Sequence, residues 1–587
     1  MTAPVPPAPP RLTRGVPGAA TYGTLILLGS FWVFECEPHV TIHLKRVLGK
    51  VDKGAHGTFR LKRSPEVDRD VQWFCDRWPL EMSDADRRAL HAGAEAHREQ
   101  VRTVARVLSG EYTPRAFDLA LPPRDYQRVA ADLWITAHGL LLGDALGLGK
   151  TISAVTGLSD PSLRPALVVC ETHLTHQWKA QIQRFLPGTR VHIVRGVTPY
   201  DLGEALARED RGPVALPDVT VTTYSKLAGW ADVLAGKFKA VVFDEVQSLC
   251  RAFSDGTQMT AKYAAAAHVA AATPWRLGLA ATPNRNWGGE YFNVLDVLNP
   301  GALGTREEFN REWCVGADTK RAIRDPVAFG LHLRESGLML RRTRQDVGRE
   351  LPAFTLVPHH IEADLDAIAE VSGEAQRLAK IILAQQGGAG SGLAKRQAGG
   401  ELDRLMRQST GVAKAPFVAG FLRMLVEQDT PVIVAGWHRS FWDILSESLD
   451  DLGFALFTGS ETDRQKRESL RRFTSGEAMV LGISLKSGAG IDGLQHMCST
   501  AVVGELDWTS VAHDQFFGRV HRDGQQSPCF GYFLLADVGS DPTVADVCGA
   551  KKANSVPIAN PLESMREVVN LDPDHVRKLA LACLRRP

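Results

Sequence analysis

Short apolar runs alternate with longer amphipathic segments through most of the chain, and this alternation is typical of a parallel α/β fold. Between residues 111 and 350, the apolar runs predict strands at 140–142, 166–170, 191–194, 219–222 and 240–243. The segments between them carry apolar residues every three or four positions and predict helices. Because ligands of such folds bind at the carboxyl ends of strands, the residues that follow these runs are the first candidates for chemistry.

The same alternation resumes in the second half of the chain. Apolar runs at 431–436 and 479–484 predict strands, and they place a second α/β lobe at 351–545. Apolar residues at helical spacing over 364–385 predict a helix, which a glycine-rich flexible loop at 387–400 follows. We interpret residues at about 362–415 as a helical protrusion on the second lobe.

The two ends of the chain have different patterns. Residues 1–18 are rich in proline and predict a disordered tail. Residues 19–110 predict a small α+β accessory module, with β-type runs at 25–34, 40–47 and 58–61, and helices at 65–78 and 83–108. The basic residues of this module fit either a phosphate-binding surface or an ordinary solvated face. Residues 546–587 predict a helical tail.

Composition narrows the class of protein. The chain has 587 residues, a formal net charge of +1 and nine cysteines without a C-x-x-C pair. Any contact with nucleic acid is therefore expected in local grooves, and the thiols are expected to be reduced, without a zinc site. The apolar run at 24–34 is about half of the roughly 20 residues that span a bilayer. We expect a soluble, intracellular protein in the cytoplasm or nucleoid, or in the nucleus of a eukaryote.

Residues 143–151 have the composition of a phosphate-binding loop. An apolar strand leads into Gly147 and Gly149, and Lys150 and Thr151 open a helix. Glycines allow backbone N–H groups to face a phosphate chain, the lysine reaches the terminal phosphates, and the threonine hydroxyl binds Mg²⁺. The strict pattern has a glycine where this chain has Asp144. A glycine turn before an ordinary helix therefore stays open on these residues alone.

A second candidate follows the strand at 240–243. Asp244 and Glu245 come directly after this apolar run, about 95 residues beyond the phosphate loop. Two carboxylates at a strand tip suit one residue that holds Mg²⁺ and one that orients or deprotonates a water. Upstream of the loop, the amide of Gln127 can both donate to and accept from an adenine edge.

Several segments, in this order along residues 121–537, resemble the Swi/Snf-type ATPases of helicase superfamily two. The segments are GDALGLGKT (143–151), LVVC (167–170) with HQW (176–178), TTY (222–224), DEVQ (244–247), RLGLAATP (276–283), LRRTRQDV (340–347), SLKSGAGID (484–492) and QFFGRVHRDGQ (515–525). An aspartate is usual in the family at Asp144, whereas Ala145, Gln247 and Ala281 stand where the family has glutamate, histidine and glycine. The tip at 436–438 and the N-terminal module look most like the annealing-helicase and phage branch.

The resemblance implies two tandem RecA-like lobes that bind ATP and Mg²⁺ in a cleft and nucleic acid across both lobes. Its catalytic residues would be Lys150, Glu245, Gln515, Arg519 and Arg522, with Asp244 and Thr151 on the metal. Its other nucleotide-binding residues would be Gln127, Gly147, Gly149, Gly490 and Asp492. Its nucleic-acid residues would be Thr223, Tyr224, His438, Ser484 and Lys486, and Thr282 would couple the nucleotide to lobe closure. The segments at 167–170 with 176–178 and at 222–224 line the nucleic-acid groove in the family.

Arg519 and Arg522 are three residues apart, which predicts that both lie on one face of a helix and reach the same triphosphate. We expect a DNA-dependent ATPase and translocase that acts on double-stranded DNA in remodelling or annealing. One alternative is a strand-separating helicase on DNA or RNA, and another is a DNA-binding scaffold with weak turnover. The expected partner is duplex or forked DNA, with RNA left open, and the expected state is a monomer that binds no membrane.

Overall fold

The computed structural model describes residues 21–48, 57–109, 112–205, 216–253, 258–283, 288–315, 322–349, 351–383, 391–485, 491, 493–508 and 510–546. The chain divides into two compact units, Met1–Pro114 and Arg115–Pro587. Gly490, Asp492, Lys486, the predicted tail at 1–18 and, except for residue 546, the predicted tail at 546–587 lie outside the described residues. Within the described part, no helix is both long and apolar enough to cross a membrane.

The first unit is a three-stranded antiparallel sheet with helices packed on its apolar face. Its elements are β1 (Gly23–Leu28), β2 (Phe31–Cys36), α1 (Pro38–Val47), β3 (Thr58–Lys62), α2 (Pro65–Cys75) and α3 (Asp84–Leu108). The predicted run at 25–34 is a hairpin of two strands, in which Leu28 pairs with Phe31. The strand predicted at 40–47 is wrong. Pro38 begins a helix there, and Val40 and Leu44 are buried four residues apart on one face.

The first lobe of the second unit is built on a seven-stranded parallel sheet. Its strands are β4 (Gly139–Leu142), β5 (Ala166–Cys170), β6 (Val191–Ile193), β7 (Val219–Thr223), β8 (Ala240–Asp244), β9 (Trp275–Leu279) and β12 (Met339–Leu340), in the spatial order β12-β4-β9-β8-β5-β7-β6. Its helices are α4 (Asp125–Ala137), α5 (Lys150–Leu158), α6 (Thr175–Phe185), α7 (Tyr224–Leu234), α8 (Ala261–Ala271), α9 (Glu290–Leu298), α10 (Arg306–Trp313) and α11 (Pro326–Glu335). A short antiparallel pair, β10 (Cys314–Val315) and β11 (Ala322–Ile323), lies outside this sheet.

The second lobe has a six-stranded parallel sheet in the order β13-β18-β17-β14-β16-β15. The strands are β13 (Phe354–His360), β14 (Val432–Gly436), β15 (Phe454–Phe457), β16 (Val480–Ser484), β17 (Thr500–Val503) and β18 (Cys529–Leu535). The helices are α12 (Leu365–Ala369), α13 (Ser372–Leu383), α14 (Ser391–Val426), α15 (Arg439–Ser448), α16 (Asp463–Thr474) and α17 (Ser510–Phe517). Two parallel sheets in tandem confirm the predicted α/β fold with two lobes.

The helical insertion differs from its prediction in two ways. The single helix expected at 364–385 is two helices, α12 and α13, and the loop expected at 387–400 is helical from Ser391 onward. The glycines of this stretch suggested a loop, but α14 packs on α13 and then continues into the lobe, where Val418 and Leu422 are fully buried. Tertiary burial therefore overrides the low helix propensity of glycine at this site.

Candidate functional site

The phosphate loop connects a buried strand to the start of a helix. All four residues of β4 are buried, and α5 begins at Lys150. Gly147 and Gly149 have φ values of 84° and 71°, a region that side-chain-bearing residues rarely adopt. A Cβ on Gly149 would lie 2.6 Å from Nε2 of Gln127, and one on Gly147 would lie 2.7 Å from Nη2 of Arg344. The positive φ values therefore favour glycine at both positions, and the loop fits a phosphate cradle at a helix N-terminus.

Lys150 points back into its own loop. Its Nζ donates to the carbonyl of Asp144 at 2.7 Å and to that of Ala145 at 3.4 Å. Burial lowers the pKa of Lys150, and the carboxylates of Glu245 and Asp144 oppose that shift. The ammonium group is therefore held at the centre of the loop, where a phosphate would approach.

Three arginines that follow β12 donate hydrogen bonds to the phosphate loop on the side away from the cleft. β12 pairs in parallel with β4, which brings residues 341–344 alongside the loop. Arg341 donates to the carbonyls of Gly143 at 2.5 Å and Ala281 at 2.7 Å, whereas Nη2 of Arg344 donates to the carbonyl of Leu146 at 2.9 Å. Sequence reasoning missed these roles, although the run of arginines after an apolar pair is visible in the segment at 340–347.

The contacts of Arg342, the middle arginine, explain why an aspartate stands at position 144. The Asp144 carboxylate is fully buried and accepts hydrogen bonds from the backbone N–H of Arg342 at 3.0 Å and from its guanidinium at 2.5 and 3.1 Å. Arg342 also donates to the carbonyl of Tyr126 at 2.6 Å. The residue that breaks the strict phosphate-loop pattern is thus one half of a buried ion pair. Ala145 contributes its backbone, with its N–H donating to the Arg342 carbonyl and its carbonyl accepting from Lys150, and nothing in the structure explains why alanine replaces glutamate there.

The two carboxylates lie at the carboxyl end of β8, as predicted. Oδ2 of Asp244 accepts from the indole N–H of Trp178 at 2.7 Å, and Oδ1 accepts from the backbone N–H of Glu245 at 3.1 Å. Burial, followed by the charge of Glu245, raises the pKa of Asp244. The Glu245 backbone is left-handed, with φ 50° and ψ 51°, and Gln247 donates to its carboxylate. Left-handed non-glycine residues are uncommon and cluster at functional sites, and Glu245 is one of three in the described part of the chain.

Residues of the second lobe lie opposite the two carboxylates, across the cleft between the lobes. Nε2 of Gln515 lies 3.4 Å from each carboxylate oxygen of Glu245, and Nη1 of Arg519 and Arg522 donates to the Ile491 carbonyl at 3.2 and 3.4 Å. The prediction that both arginines lie on a helix is wrong, because α17 ends at Phe517. The chain continues in turns with both i to i+3 and i to i+4 hydrogen bonds, and this geometry also turns residues three apart to the same side.

A cleft of about 510 Å³ brings most of the predicted nucleotide site together. Its lining includes Gln127, Gly147, Gly149, Lys150, Thr151, Asp244, Glu245, Gln515, Arg519 and Arg522. In the structure, Gln127 donates to the Leu148 carbonyl at 3.1 Å and accepts from the Arg124 N–H at 3.0 Å. These bonds leave one amide N–H and one lone pair of Gln127, so its contact with adenine stays a prediction. Thr282 follows β9 and is not part of the lining.

The predicted nucleic-acid residues of the first lobe are buried. Thr223 and Tyr224 have exposed fractions of 1% and 2%. Thr223 caps α7 by accepting from the Lys226 N–H, and the Tyr224 hydroxyl donates to the Asp244 carbonyl at 2.9 Å. Their side chains are occupied within the lobe, so we do not retain them as nucleic-acid contacts. Trp178 is also buried, although it belongs to the cleft lining, and the place of its segment in the nucleic-acid groove stays a prediction.

One buried carboxylate, that of Glu505, fixes the two residues that follow β14 in the second lobe. Glu505 follows β17 and accepts from the backbone N–H groups of Trp437 at 2.5 Å and His438 at 2.9 Å. Its other oxygen lies 2.7 Å from Nδ1 of His438. Sequence reasoning missed Glu505, since it is 67 residues from His438. The nucleic-acid roles of His438 and of Ser484, at the end of β16, stay predictions.

The fold and the cleft define a two-lobed protein that carries a phosphate loop on one lobe and paired arginines on the other. Comparison with known protein families matches residues 52–367 to the SNF2-related domain, over more than half of the chain. The chain belongs to the SNF2-related family.

Two curated relatives show the range of this similarity. An uncharacterised ATP-dependent helicase of Mycoplasma pneumoniae is 23% identical over 74% of this chain and 42% of its own length. The DNA repair protein rhp54 of Schizosaccharomyces pombe is 23% identical over 70% of this chain and 54% of its own. The chain thus spans about half the length of these relatives.

Among solved structures, the SWI2/SNF2 ATPase core of Sulfolobus solfataricus in complex with double-stranded DNA aligns with 78% of this chain and 100% of its own. The identity is 17% and the TM-score is 0.35, which is too low to compare the arrangement of the lobes.

Proposed function

We propose that this protein is a DNA-dependent ATPase and translocase of the Swi/Snf type. The observation that carries the proposal is the composition of the cleft. Lys150, Asp244 and Glu245 from the first lobe face Arg519 and Arg522 from the second, and all line one cavity. Such a composite site is complete only when both lobes contribute, which joins nucleotide hydrolysis to the relative position of the lobes.

Each side chain has a role that its surroundings support. The loop N–H groups and Lys150 bind the phosphates, and Arg519 with Arg522 stabilises the charge that develops during transfer. Glu245 orients the attacking water and takes up its proton, while Gln515 contacts the same carboxylate. Asp244 and Thr151 would hold Mg²⁺, which supplies a Lewis acid for the phosphate oxygens when bound. Thr282 would couple the nucleotide to lobe closure.

Gln127 would recognise adenine from the same cleft wall. Gly490, Asp492 and Lys486 remain part of the proposal on sequence resemblance alone. The nucleic acid is proposed to be double-stranded DNA, because the relatives include a protein named for DNA repair. His438 and Ser484, at the ends of two neighbouring strands of the second lobe, would contact it.

The test is hydrolysis of ATP with no nucleic acid and with single-stranded DNA, duplex DNA, forked DNA or RNA. We expect duplex or forked DNA to stimulate the rate most, and Lys150→Ala and Glu245→Gln to abolish it. Lys226→Ala is a matched control, because Lys226 also donates to a backbone carbonyl of the first lobe, that of Val194 at 2.5 Å, but does not line the cleft. This control is expected to retain the wild-type rate.

Three results would contradict the proposal. Stimulation by RNA alone would replace DNA as the substrate. Separation of a tailed duplex would indicate a strand-separating helicase. DNA binding without hydrolysis in the wild-type protein would indicate a scaffold.

A further inference from the structure

We propose that Trp178 is a positioning residue for the metal-binding carboxylate, which it orients through its indole N–H. This inference rests on the proposed function, since it concerns how the ATPase site holds Mg²⁺. Nε1 of Trp178 donates to Oδ2 of Asp244 at 2.7 Å, and the indole is buried, with an exposed fraction of 2%.

The topology of the first lobe brings the two residues together. β5 and β8 are neighbouring parallel strands, with Val169 opposite Phe243, so their carboxyl ends lie side by side. Asp244 is the last residue of β8, and α6 begins five residues after β5 ends. Trp178 lies in the first turn of α6 and therefore meets the tip of the next strand.

A second hydrogen bond ties the same two loops together. Oε1 of Glu171, directly after β5, accepts from the hydroxyl of Ser248, three residues after Glu245, at 2.7 Å. The donor of Trp178 is thus carried on a segment that is itself fixed to the segment after β8. A hydrogen bond from such a fixed donor can define an orientation.

The carboxylate of Asp244 depends on such a partner. The terminal torsion of an aspartate is broad, so the plane of its carboxylate is set by what its oxygens contact. Here the Glu245 N–H contacts Oδ1 and the Trp178 N–H contacts Oδ2. Each oxygen keeps a lone pair for a metal ion, and together the two donors fix the direction in which those lone pairs point.

The alternative roles of a tryptophan at this position do not fit its surroundings. Although Trp178 belongs to the cleft lining, only 2% of the residue is exposed, which leaves too little of the ring open to stack on a base of DNA or on adenine. An indole N–H donates and does not accept, so it suits an ionised carboxylate. Partners one layer behind a metal ligand typically change metal affinity by 10- to 100-fold when they are removed.

The experiment compares Trp178→Phe with Trp230→Phe in the full chain. Phenylalanine keeps an aromatic ring and removes the N–H. Trp230 is a matched control, because it is fully buried in the same lobe and donates to the Gly196 carbonyl at 2.9 Å, away from the cleft. The two variants lose equivalent groups, and only one loses a contact with Asp244.

Two quantities are measured for each protein. One is the Mg²⁺ concentration that gives half of the maximal DNA-stimulated ATPase rate. The other is the equilibrium affinity for a fluorescent ATP analogue, with Mg²⁺ and with EDTA. For Trp178→Phe we expect the half-saturating Mg²⁺ concentration to rise roughly 10- to 100-fold. We also expect weaker binding of the analogue with Mg²⁺, unchanged binding in EDTA, and a rate near wild type at saturating Mg²⁺.

An unchanged Mg²⁺ dependence in Trp178→Phe, or an equal shift in Trp230→Phe, would overturn the proposal. Equal weakening with Mg²⁺ and with EDTA would also overturn it, since that pattern indicates a general defect of the cleft. If Trp178→Phe does not fold, Trp178→Leu, which also lacks a donor, is measured in the same way. Absence of hydrolysis in the wild-type protein would contradict the proposed function, while the binding measurement would still test Trp178.

Discussion

The cleft is bordered by two sets of arginines that differ in what they bind. Arg341, Arg342 and Arg344 lie behind the phosphate loop and bind groups of the protein, including the buried carboxylate of Asp144. Arg519 and Arg522 line the cleft and share the neutral carbonyl of Ile491. Only the second set lines the cleft, where a bound triphosphate would lie. The first set therefore shapes the site, and the second can act on a bound anion.

The largest expected effect is on the ATPase rate, when an arginine of the second set is replaced. For Arg519→Ala we expect the DNA-stimulated ATPase rate to fall by about 10³- to 10⁵-fold, the range known for arginines that stabilise phosphoryl transfer. The thermal midpoint and the affinity for an ATP analogue should stay close to those of the wild type. A rate near wild type, with the fold intact, would assign Arg519 to the set that only shapes the site.

Loss of an arginine from the first set should act on stability. In Arg342→Ala the buried Asp144 carboxylate loses its ion-pair partner, which typically costs about 3–5 kcal/mol. The free energy of unfolding, measured by chemical denaturation, should fall by that amount. Arg190→Ala is the matched control, because Arg190 pairs with Asp218 in the same lobe with both side chains partly exposed. Its cost should stay below about 1 kcal/mol, and an equal cost in the two variants would contradict the comparison.

Six of the thirteen strands described in the two lobe sheets were not predicted from sequence, and one of them, β13, is mostly exposed. The other seven, β4 to β8, β14 and β16, could be predicted because each is a buried run. The phosphate loop and the carboxylates at 244–245 followed from such strands, since parallel strands deliver their next residues to one edge. The helix at Pro38–Val47 could not be predicted in this way. Its β-branched residues favour a strand locally, whereas tertiary packing of its buried face stabilises a helix. The helix at Ser391–Val426 was missed for a related reason, the glycines before its buried half.

The missed site residues share one property: each acts through a partner far along the chain. Asp144 and Arg342 are 198 residues apart, and Trp178 lies 66 residues before Asp244. A single sequence carries no signal that pairs such positions. The prediction for Tyr224 failed for the same reason. Tyr224 was expected on a nucleic-acid surface, but its buried hydroxyl donates to the Asp244 carbonyl, 20 residues away.

Gly147→Ala tests the contact between the loop and the first set of arginines. The new Cβ would lie 2.7 Å from Nη2 of Arg344, at a φ of 84°. Gly188→Ala is the control, because Gly188 has the same φ of 84° and open space around it. Each variant should lose about 1–2 kcal/mol of stability from backbone strain. Only Gly147→Ala should also weaken binding of an ATP analogue, and an equal affinity in both variants would contradict a role for Arg344 at the loop.

The smallest expected effect concerns the contact of Arg344, from the first set, with His521, which lies between the two arginines of the second set in the sequence. Nη2 of Arg344 donates to the carbonyl of His521 at 2.8 Å, and its Nη1 lies 3.3 Å from Nδ1 of that histidine. The other ring nitrogen, Nε2, lies 3.0 Å from the Pro352 carbonyl. The neutral ring with the proton on Nε2 satisfies both contacts, and a second proton on Nδ1 would face the Arg344 donors. Burial, assisted by Arg344, lowers the pKa of His521.

Because the pKa of His521 is lowered in the folded protein, acid should destabilise the fold. As pH falls through the ordinary histidine value of about 6.5, the unfolded chain takes up the proton before the folded protein does. The free energy of unfolding should therefore decrease from about pH 7.5 to about pH 5.5, by less than about 1 kcal/mol because the ring is half-exposed. In His521→Gln this part of the slope should vanish. If the variant instead keeps the full slope, the junction of Arg344 with His521 does not sense protons, and the two sets of arginines meet there only through the backbone.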